Sequence, residues 1–299
     1  MDREQTRYVL ISPVRNEEKY IKKSIDSVIN QTVRPVEYLI VDDGSTDLTA
    51  EIVKKAAQQY PWIHYIRRKD RGERRVGPGV IEAFYDGFKA LHTKDYEFIG
   101  KIDGDLSFGP RYFQTLFSKF EEDPYLGAAS GKLYLVLEDE RLVVERLSDE
   151  MVLGGMQFYR RKCFKDIGGF VSQVMWDGIA LHRCRMEGWR TRSFRGSELI
   201  IRDHRLMGSS HKSIYHGRLR WGWGQYFMGT HPLYILAIGV YRLFERPFIV
   251  GGLLIILGYL KGGITRTMRY DWPGFRQSLH AWQLERIKIG KRLEHIPKS

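Results

Sequence analysis

Asp103-Gly104-Asp105 sets two carboxylates one residue apart at the end of an apolar run. Such a pair can share a hard divalent cation that also grips a diphosphate, because Mg²⁺ and Mn²⁺ favour oxygen ligands and retain waters. An ion held there offsets charge on a departing diphosphate. By itself the triplet also suits a turn after a strand. A second acidic cluster, Asp42-Asp43-Gly44-Ser45, closes another apolar run. Its carboxylates can accept from a nucleobase N–H or a ribose hydroxyl. They also suit a strand-to-helix turn.

The elements that must carry these clusters are legible in the pattern around them. Tyr8 to Ser12 is a short β-rich run that stops at Pro13. Glu17 to Asn30 has Tyr20, Ile21, Ile25, Val28 and Ile29 at helical spacing. Val36 to Val41 reads as a second strand. Ser45 or Thr46 then caps a helix reaching about Tyr60. Ile63 to Ile66 is a third strand, Gly77 to Leu91 a helix, and Tyr96 to Ile102 a fourth strand. This alternation predicts an α/β fold, a mostly parallel sheet flanked by helices. Such sheets bind ligands at the carboxyl ends of their strands, where both acidic clusters fall. Beyond Pro110 the spacing predicts strands at Leu126–Val136, Gly154–Tyr159 and Thr191–Arg195, with helices at Lys162–Phe170 and Trp176–Gly188.

In order along the chain, Pro13-x-Arg15-Asn16-Glu17-Glu18, Val41-Asp42-Asp43-Gly44-Ser45-Thr46-Asp47 and Asp103-Gly104-Asp105 resemble the family 2 glycosyltransferases, inverting enzymes of the GT-A fold. Ile167-Gly168-Gly169-Phe170, Trp176-Asp177, Arg183 and Glu187-Gly188-Trp189-Arg190 are similar to that family's acceptor-side segment. The resemblance covers about residues 8–195. It implies that Pro13, Arg15, Glu17, Asp42, Asp43 and Asp103 bind the nucleotide. It also implies that Asp103 and Asp105 hold Mn²⁺ or Mg²⁺, and that Asp177 is the general base toward an acceptor hydroxyl. An inverting transfer needs one such base opposite the leaving diphosphate. Asp177 also stands where a helix cap would.

Two departures from the family pattern stand out. Trp176 precedes Asp177 where the family usually has Glu, a ring suited to packing under a sugar. The stretch Arg67-Arg68-Lys69-Asp70-Arg71-Gly72-Glu73-Arg74-Arg75 suits either diphosphate binding through Arg forks or a solvated loop. The helix start at Gly77-Pro78-Gly79 is similar to that of polyprenyl-phosphate sugar synthases, a branch of the same family. Arg220-Trp221 is similar to part of a motif of processive members, but Gly217 replaces its Gln, so polymerisation is not inferred. His204 is a candidate to complete a metal shell, and Arg218 or Arg220 to meet an anionic acceptor or the diphosphate, although each also suits a structural or surface role. His211 is read as structural.

The chain has 299 residues and a net charge of +12. Residues 201–299 hold 16 Lys/Arg against 5 Asp/Glu, so nearly all the excess lies there. A basic end meets nucleic acid or an anionic membrane face. The apolar runs Pro232–Tyr241 and Phe248–Leu260 favour the membrane, since they would be a liability on a free surface. Each falls short of the about 20 apolar residues of a span. A re-entrant or in-plane helical hairpin is expected, followed by a basic tail with Trp272, Phe275, Leu279, Trp282, Ile287 and Leu293 for the interface. Met1 to Arg7 is polar, with no apolar core of a signal. Cys163 and Cys184 make no disulfide framework, which fits a reducing compartment. The expected layout is a catalytic domain over residues 1–225, with a donor half at 1–109 and an acceptor half at 110–225, and a membrane-associating region at 226–299. The expected partners are a nucleotide sugar (UDP- or GDP-linked), a lipid-linked or glycan acceptor and the cytoplasmic membrane face, without nucleic acid. The other readings are a nucleic-acid-binding protein using the basic third and a nucleotidyltransferase.

Overall fold

The computed structural model describes residues 6–289, apart from 74, 76, 138, 146–147, 206–212 and 245–246. Arg74, His211 and Leu293 therefore lie outside the described residues.

Strands β1 (Tyr8–Val14), β2 (Glu37–Asp42), β3 (Ile63–Arg67) and β4 (Phe98–Ile102) form a parallel sheet in the order β3-β2-β1-β4. Their near-continuous burial follows from helices on both faces. On β1, Tyr8 and Leu10 enter one core, while Val9 and Ile11 enter the other. The first core packs under α1 (Ile21–Ile29), α2 (Thr49–Gln59) and α4 (Tyr112–Glu122). The second lies under α3 (Pro78–Ala90), α5 (Arg161–Asp166) and α6 (Trp176–Met186). In it the free thiols of Cys163 and Cys184 are buried with sulfurs 3.5 Å apart.

Helix α1 begins later than its apolar spacing suggests, because Tyr20 and Ile21 both donate to the Glu17 carbonyl in a turn. Neither Ser45 nor Thr46 caps α2. The Ser45 hydroxyl accepts from the Asn16 amide, and Asp47 Oδ1 takes the Thr49 amide at 3.0 Å.

The second half of the sheet is mixed. β8 (Met156–Arg160) runs antiparallel between β4 and β6 (Leu126–Val136). β9 (Arg190–Phe194) and β10 (Ile200–Asp203) lie parallel to β6. Short β5 (Leu106–Phe108) and β7 (Leu142–Val144) add antiparallel edges. Pairing is thus wholly parallel through β1–β4 and mixed beyond them.

Four helices close the described chain: α7 (Ile214–Met228), α8 (Pro232–Arg242), α9 (Val250–Ile264) and α10 (Phe275–Ile289). The expected boundary near residue 225 falls within α7. The backbones of α7 and α9 nearly touch: a β-carbon on Gly222 would lie 2.0 Å from the Ile255 carbonyl oxygen, and one on Gly258 would lie 2.1 Å from that of Leu219. Helix α10 turns back onto α6, burying Phe275 and Leu279 against Ile179 and Met228. The apolar face of the tail therefore meets the protein itself. The exposed apolar side chains gather instead on α8 and α9, with Leu233, Leu236, Val240, Leu253, Leu257 and Leu260 among them. Among the described residues, no helix is long and apolar enough to cross a membrane.

Candidate active site

The residues singled out from the sequence converge on the carboxyl ends of β1, β2 and β4. Pro13 lies near the end of β1, paired with Val41 of β2. Asp42 closes β2 and is fully buried; Oδ1 accepts the Ser45 amide at 2.7 Å and Oδ2 the Tyr65 hydroxyl at 2.8 Å. Asp43 is gripped by Arg68 at 2.5 Å and by Arg71. Arg15 is buried, donating to the Asp43 carbonyl and to Asp70 Oδ1, the latter at 2.7 Å. Asp70 lies so close over Gly44 that a β-carbon there would come within 2.5 Å of its Cα. Gly44 also has φ +78°, which suits a residue without a β-carbon. The described part of the basic loop is largely exposed to solvent, and four of its arginines are already paired with carboxylates. Arg67, Arg68, Arg71 and Arg75 are engaged by Asp42, Asp43, Glu82 and Asp86.

Beyond β4, Asp103 and Asp105 diverge into the cleft. Asp103 accepts from Lys101, whose ammonium also donates to the Gly154 carbonyl at 3.0 Å. Asp105 Oδ2 stands 3.2 Å from Arg205 Nε, and Arg205 also pairs with buried Glu17. Asp203, at the end of β10, joins them. Burial pushes its carboxyl up to about 7, and the charges of Asp105 and Asp103 add to this against the Arg205 amide. His204 is directed elsewhere, with Nε2 at 2.8 Å from Ser107 Oγ.

Asp103, Asp105 and Asp203 form a group that suits a divalent cation. Its donors are hard oxygens, and the charges of Asp105 and Asp103 add to the burial that raises Asp203, so an oxygen-seeking dication suits it. The oxygens of Asp103, Asp105 and Asp203 do not all lie within 4.8 Å of one another. That spacing matches an ion held by one or two carboxylates and completed by phosphate and water.

Asp177 sits in the first turn of α6, behind Met175, whose backbone is left-handed at φ +63°. A non-glycine residue in that region is a strain that clusters at functional sites. Oδ1 accepts the adjacent Gly178 amide, at 2.8 Å. Burial pushes the Asp177 carboxyl above its ordinary value, with Asp103 adding to this and Lys101 opposing it. The segment Gly154–Gly155 runs between the two carboxylates. A β-carbon on Gly154 would meet Asp177 Oδ2 at 2.7 Å, and one on Gly155 would meet Asp103 Oδ2 at 3.1 Å. Trp176 is buried beside Phe170, with its ring centroid 5.0 Å below Lys101 Nζ. Its neighbours on those sides are protein groups.

Asp177 opens onto a cavity of about 1630 Å³. Arg185, Arg218, Arg220 and Arg242 line it with Trp221, Tyr234 and Trp282. Burial lowers the guanidinium values of Arg185 and Arg220. The chamber is therefore both cationic and aromatic.

Residues 9–136 match the family described as Glycosyl transferase family 2. Those residues carry a family 2 glycosyltransferase domain. The glycosyltransferase GlyA of Streptococcus pneumoniae is 30% identical over 266 residues, which are 89% of this chain and 32% of that protein. The minor teichoic acid biosynthesis protein GgaA of Bacillus subtilis is 27% identical over 136 residues, 44% of this chain and 29% of that one. The chain thus spans less than a third of either relative's length. Among solved structures, the mannosyltransferase PcManGT of Pyrobaculum calidifontis, in complex with GDP-Man and Mn²⁺, superposes with TM-score 0.58 at 17% identity, covering 88% of both chains. A TarS fragment from S. aureus superposes with TM-score 0.52 at 18% identity, over 88% of this chain and 73% of that one. These likenesses establish the GT-A fold.

In the transferase domain, Lys101, Asp203, Arg205 and Gly154–Gly155 escaped the sequence reading. Lys101 left a trace, as a lysine inside the apolar run that ends at Ile102. Asp203 and Arg205 left none, because nothing in sequence places β10 beside β5 and Asp105.

Proposed function

We propose that this domain is an inverting transferase that moves a sugar from a nucleoside diphosphate sugar to a hydroxyl of an anionic, lipid-linked glycan at the cytoplasmic membrane face. The observation that carries this reading is the bare Gly154–Gly155 segment between the Asp103 and Asp177 carboxylates. Without side chains this segment lets the two carboxylates close on it from either side, and it lines the cavity beside Asp177, where a sugar whose diphosphate is held near Asp103 would meet the base.

Asp177 takes the proton of the acceptor hydroxyl as its oxygen bonds to the anomeric carbon and the bond to the diphosphate breaks. Its raised proton affinity makes it a stronger base than an ordinary carboxylate. Lys101 holds Asp103 and the Gly154 carbonyl together, which fixes the spacing across the gap. Asp103 and Asp105 would hold Mn²⁺ or Mg²⁺, which supplies charge neutralisation at the leaving diphosphate. Donor binding has to loosen the grip of Arg68 and Arg71 if Asp43 is to meet the nucleobase.

Two features support the acceptor class. A base at Asp177 calls for a hydroxyl nucleophile, since a phosphate nucleophile is already anionic. The arginines of the cavity suit phosphate, and its tryptophans suit sugar or lipid. A hydroxyl on a glycan carried by a lipid diphosphate satisfies both. The exposed apolar face of α8 and α9, near basic residues, suits docking into the interface. Calorimetry with UDP and GDP, each with and without Mn²⁺ or Mg²⁺, tests the donor side. Metal-dependent binding of one nucleotide supports the proposal, and binding of neither removes it.

A further inference from the structure

Glu37 opens β2, at the end of the strand opposite Asp42 and about 17 Å from it. Its side chain is 4% exposed. The carboxylate is held from one side by the amides of Thr93 at 3.0 Å and His92 at 3.1 Å, both reaching Oε2. Oε1 faces two imidazoles: His92 Nδ1 at 2.7 Å and His64 Nε2 at 3.6 Å. The two rings stand 4.9 Å apart between centroids. His64 belongs to β3, and His92 follows α3. Three segments distant in sequence thus aim one ligand atom each at a common point, all within 4.8 Å of one another.

Hydrogen bonding alone does not account for this arrangement. The His92 amide, at 3.1 Å, and the His92 imidazole already satisfy Oε1. The His64 nitrogen, at 3.6 Å, is too far to bond yet faces the same oxygen. Burial pushes the Glu37 carboxyl up, but the Thr93 and His92 amides and the two histidines outweigh it, leaving the group below its ordinary value and anionic. The amide bonds to Oε2 are the kind of outer contact that fixes a ligating carboxylate. His92 is 75% and His64 33% exposed, and a cavity of about 620 Å³ opens beside both rings. An ion has a path in, and a water has room as a fourth ligand.

We propose that Glu37, His64 and His92 form a second metal site, for a Zn²⁺-like ion, that ties β2, β3 and the segment after α3 together. Two imidazoles and one carboxylate favour zinc over the hard ions suited to the all-oxygen cleft. The two sites are therefore separable by the metal each takes. Ligation at Glu37 also acts on the strand that ends in Asp42, so the site braces the sheet beneath the nucleotide side.

The test uses the full chain, stripped with chelator and titrated with ZnCl₂ by calorimetry, with Co²⁺ absorption as a second readout. The expected result is one equivalent of tightly bound zinc, a rise in melting temperature on binding, and visible Co²⁺ bands that report imidazole ligands. His64→Ala with His92→Ala should weaken the binding by about a hundredfold or more, and Asp105→Ala should leave it intact. Both histidines are at least partly exposed, so this pair is chosen over a change at buried Glu37. Melting of the pair without zinc, compared with the parent chain, checks its fold. Absence of stoichiometric binding, equal binding by the double variant, or its loss in Asp105→Ala overturns the proposal. Failure of nucleotide binding in the cleft leaves this result unaffected.

Discussion

The carboxylate of Asp177 lies against the bare Cα of Gly154, so close that a β-carbon there would stand 2.7 Å from Oδ2. Gly154→Ala therefore pushes the base out of place while leaving the nucleotide side untouched. A displacement of about 1 Å costs about a hundredfold in rate. Turnover should fall by that order, with donor binding within about twofold of the parent by calorimetry. Unchanged turnover would show that the position of Asp177 is not critical.

Asp177→Asn removes the proton acceptor and keeps the shape. The rate should drop by about 10² to 10⁴ while nucleotide binding persists. The pH profile gives a second check. Only the ionised carboxyl is a base, and burial raises its value above the ordinary 3.8. Activity should therefore be full at high pH and fall as pH drops through the raised value. The acid limb should thus lie above the range of an ordinary carboxylate, and the residual activity of the variant should lack it.

Asp105→Ala should weaken metal-dependent binding of the nucleoside diphosphate by about tenfold or more, measured with and without Mn²⁺. It also frees Arg205, which pairs with both Asp105 and Glu17. Metal-independent binding should persist or strengthen as that cation becomes available to the diphosphate. Equal loss with and without metal would point to a collapsed cleft instead.

Membrane attachment needs a gentle test, because removing residues 232–299 would also strip α10 from α6 and expose Ile179 and Met228. Leu253→Glu with Leu257→Glu changes two exposed side chains one turn apart on α9. Burial of each leucine is worth about 1.5–3 kcal/mol. Sedimentation with phosphatidylglycerol vesicles should drop by about a hundredfold or more in partition. Equal sedimentation would assign the exposed face to another partner.

Gly258→Ala tests the α7–α9 contact. Its β-carbon would stand 2.1 Å from the Leu219 carbonyl oxygen, which a helix backbone cannot move aside cheaply. The helices must separate, at a cost of about 1–3 kcal/mol in unfolding free energy. A denaturant midpoint equal to the parent's would show that the pair accommodates the methyl group.

The sequence by itself determined the alternation of the first four strands with their helices, and it put the two acidic clusters at strand ends. Strand β6 matches its expected bounds, Leu126–Val136. These features are local: apolar spacing, turn residues and neighbouring carboxylates lie within a few positions of one another. Only the tertiary structure brought Asp203 and Arg205 to Asp105, because β10 reaches the cleft by pairing with β5 and β6. It also placed Gly154–Gly155 between Asp103 and Asp177, and turned α10 back onto α6. A basic, tryptophan-bearing helix reads the same whether its apolar face meets lipid or protein, and burial of Phe275 and Leu279 decides it. The Glu37, His64 and His92 cluster was equally invisible in sequence. Its members are 27 and 28 positions apart, and the pairing of β2 with β3 and the return of the chain after α3, both long-range, make them neighbours.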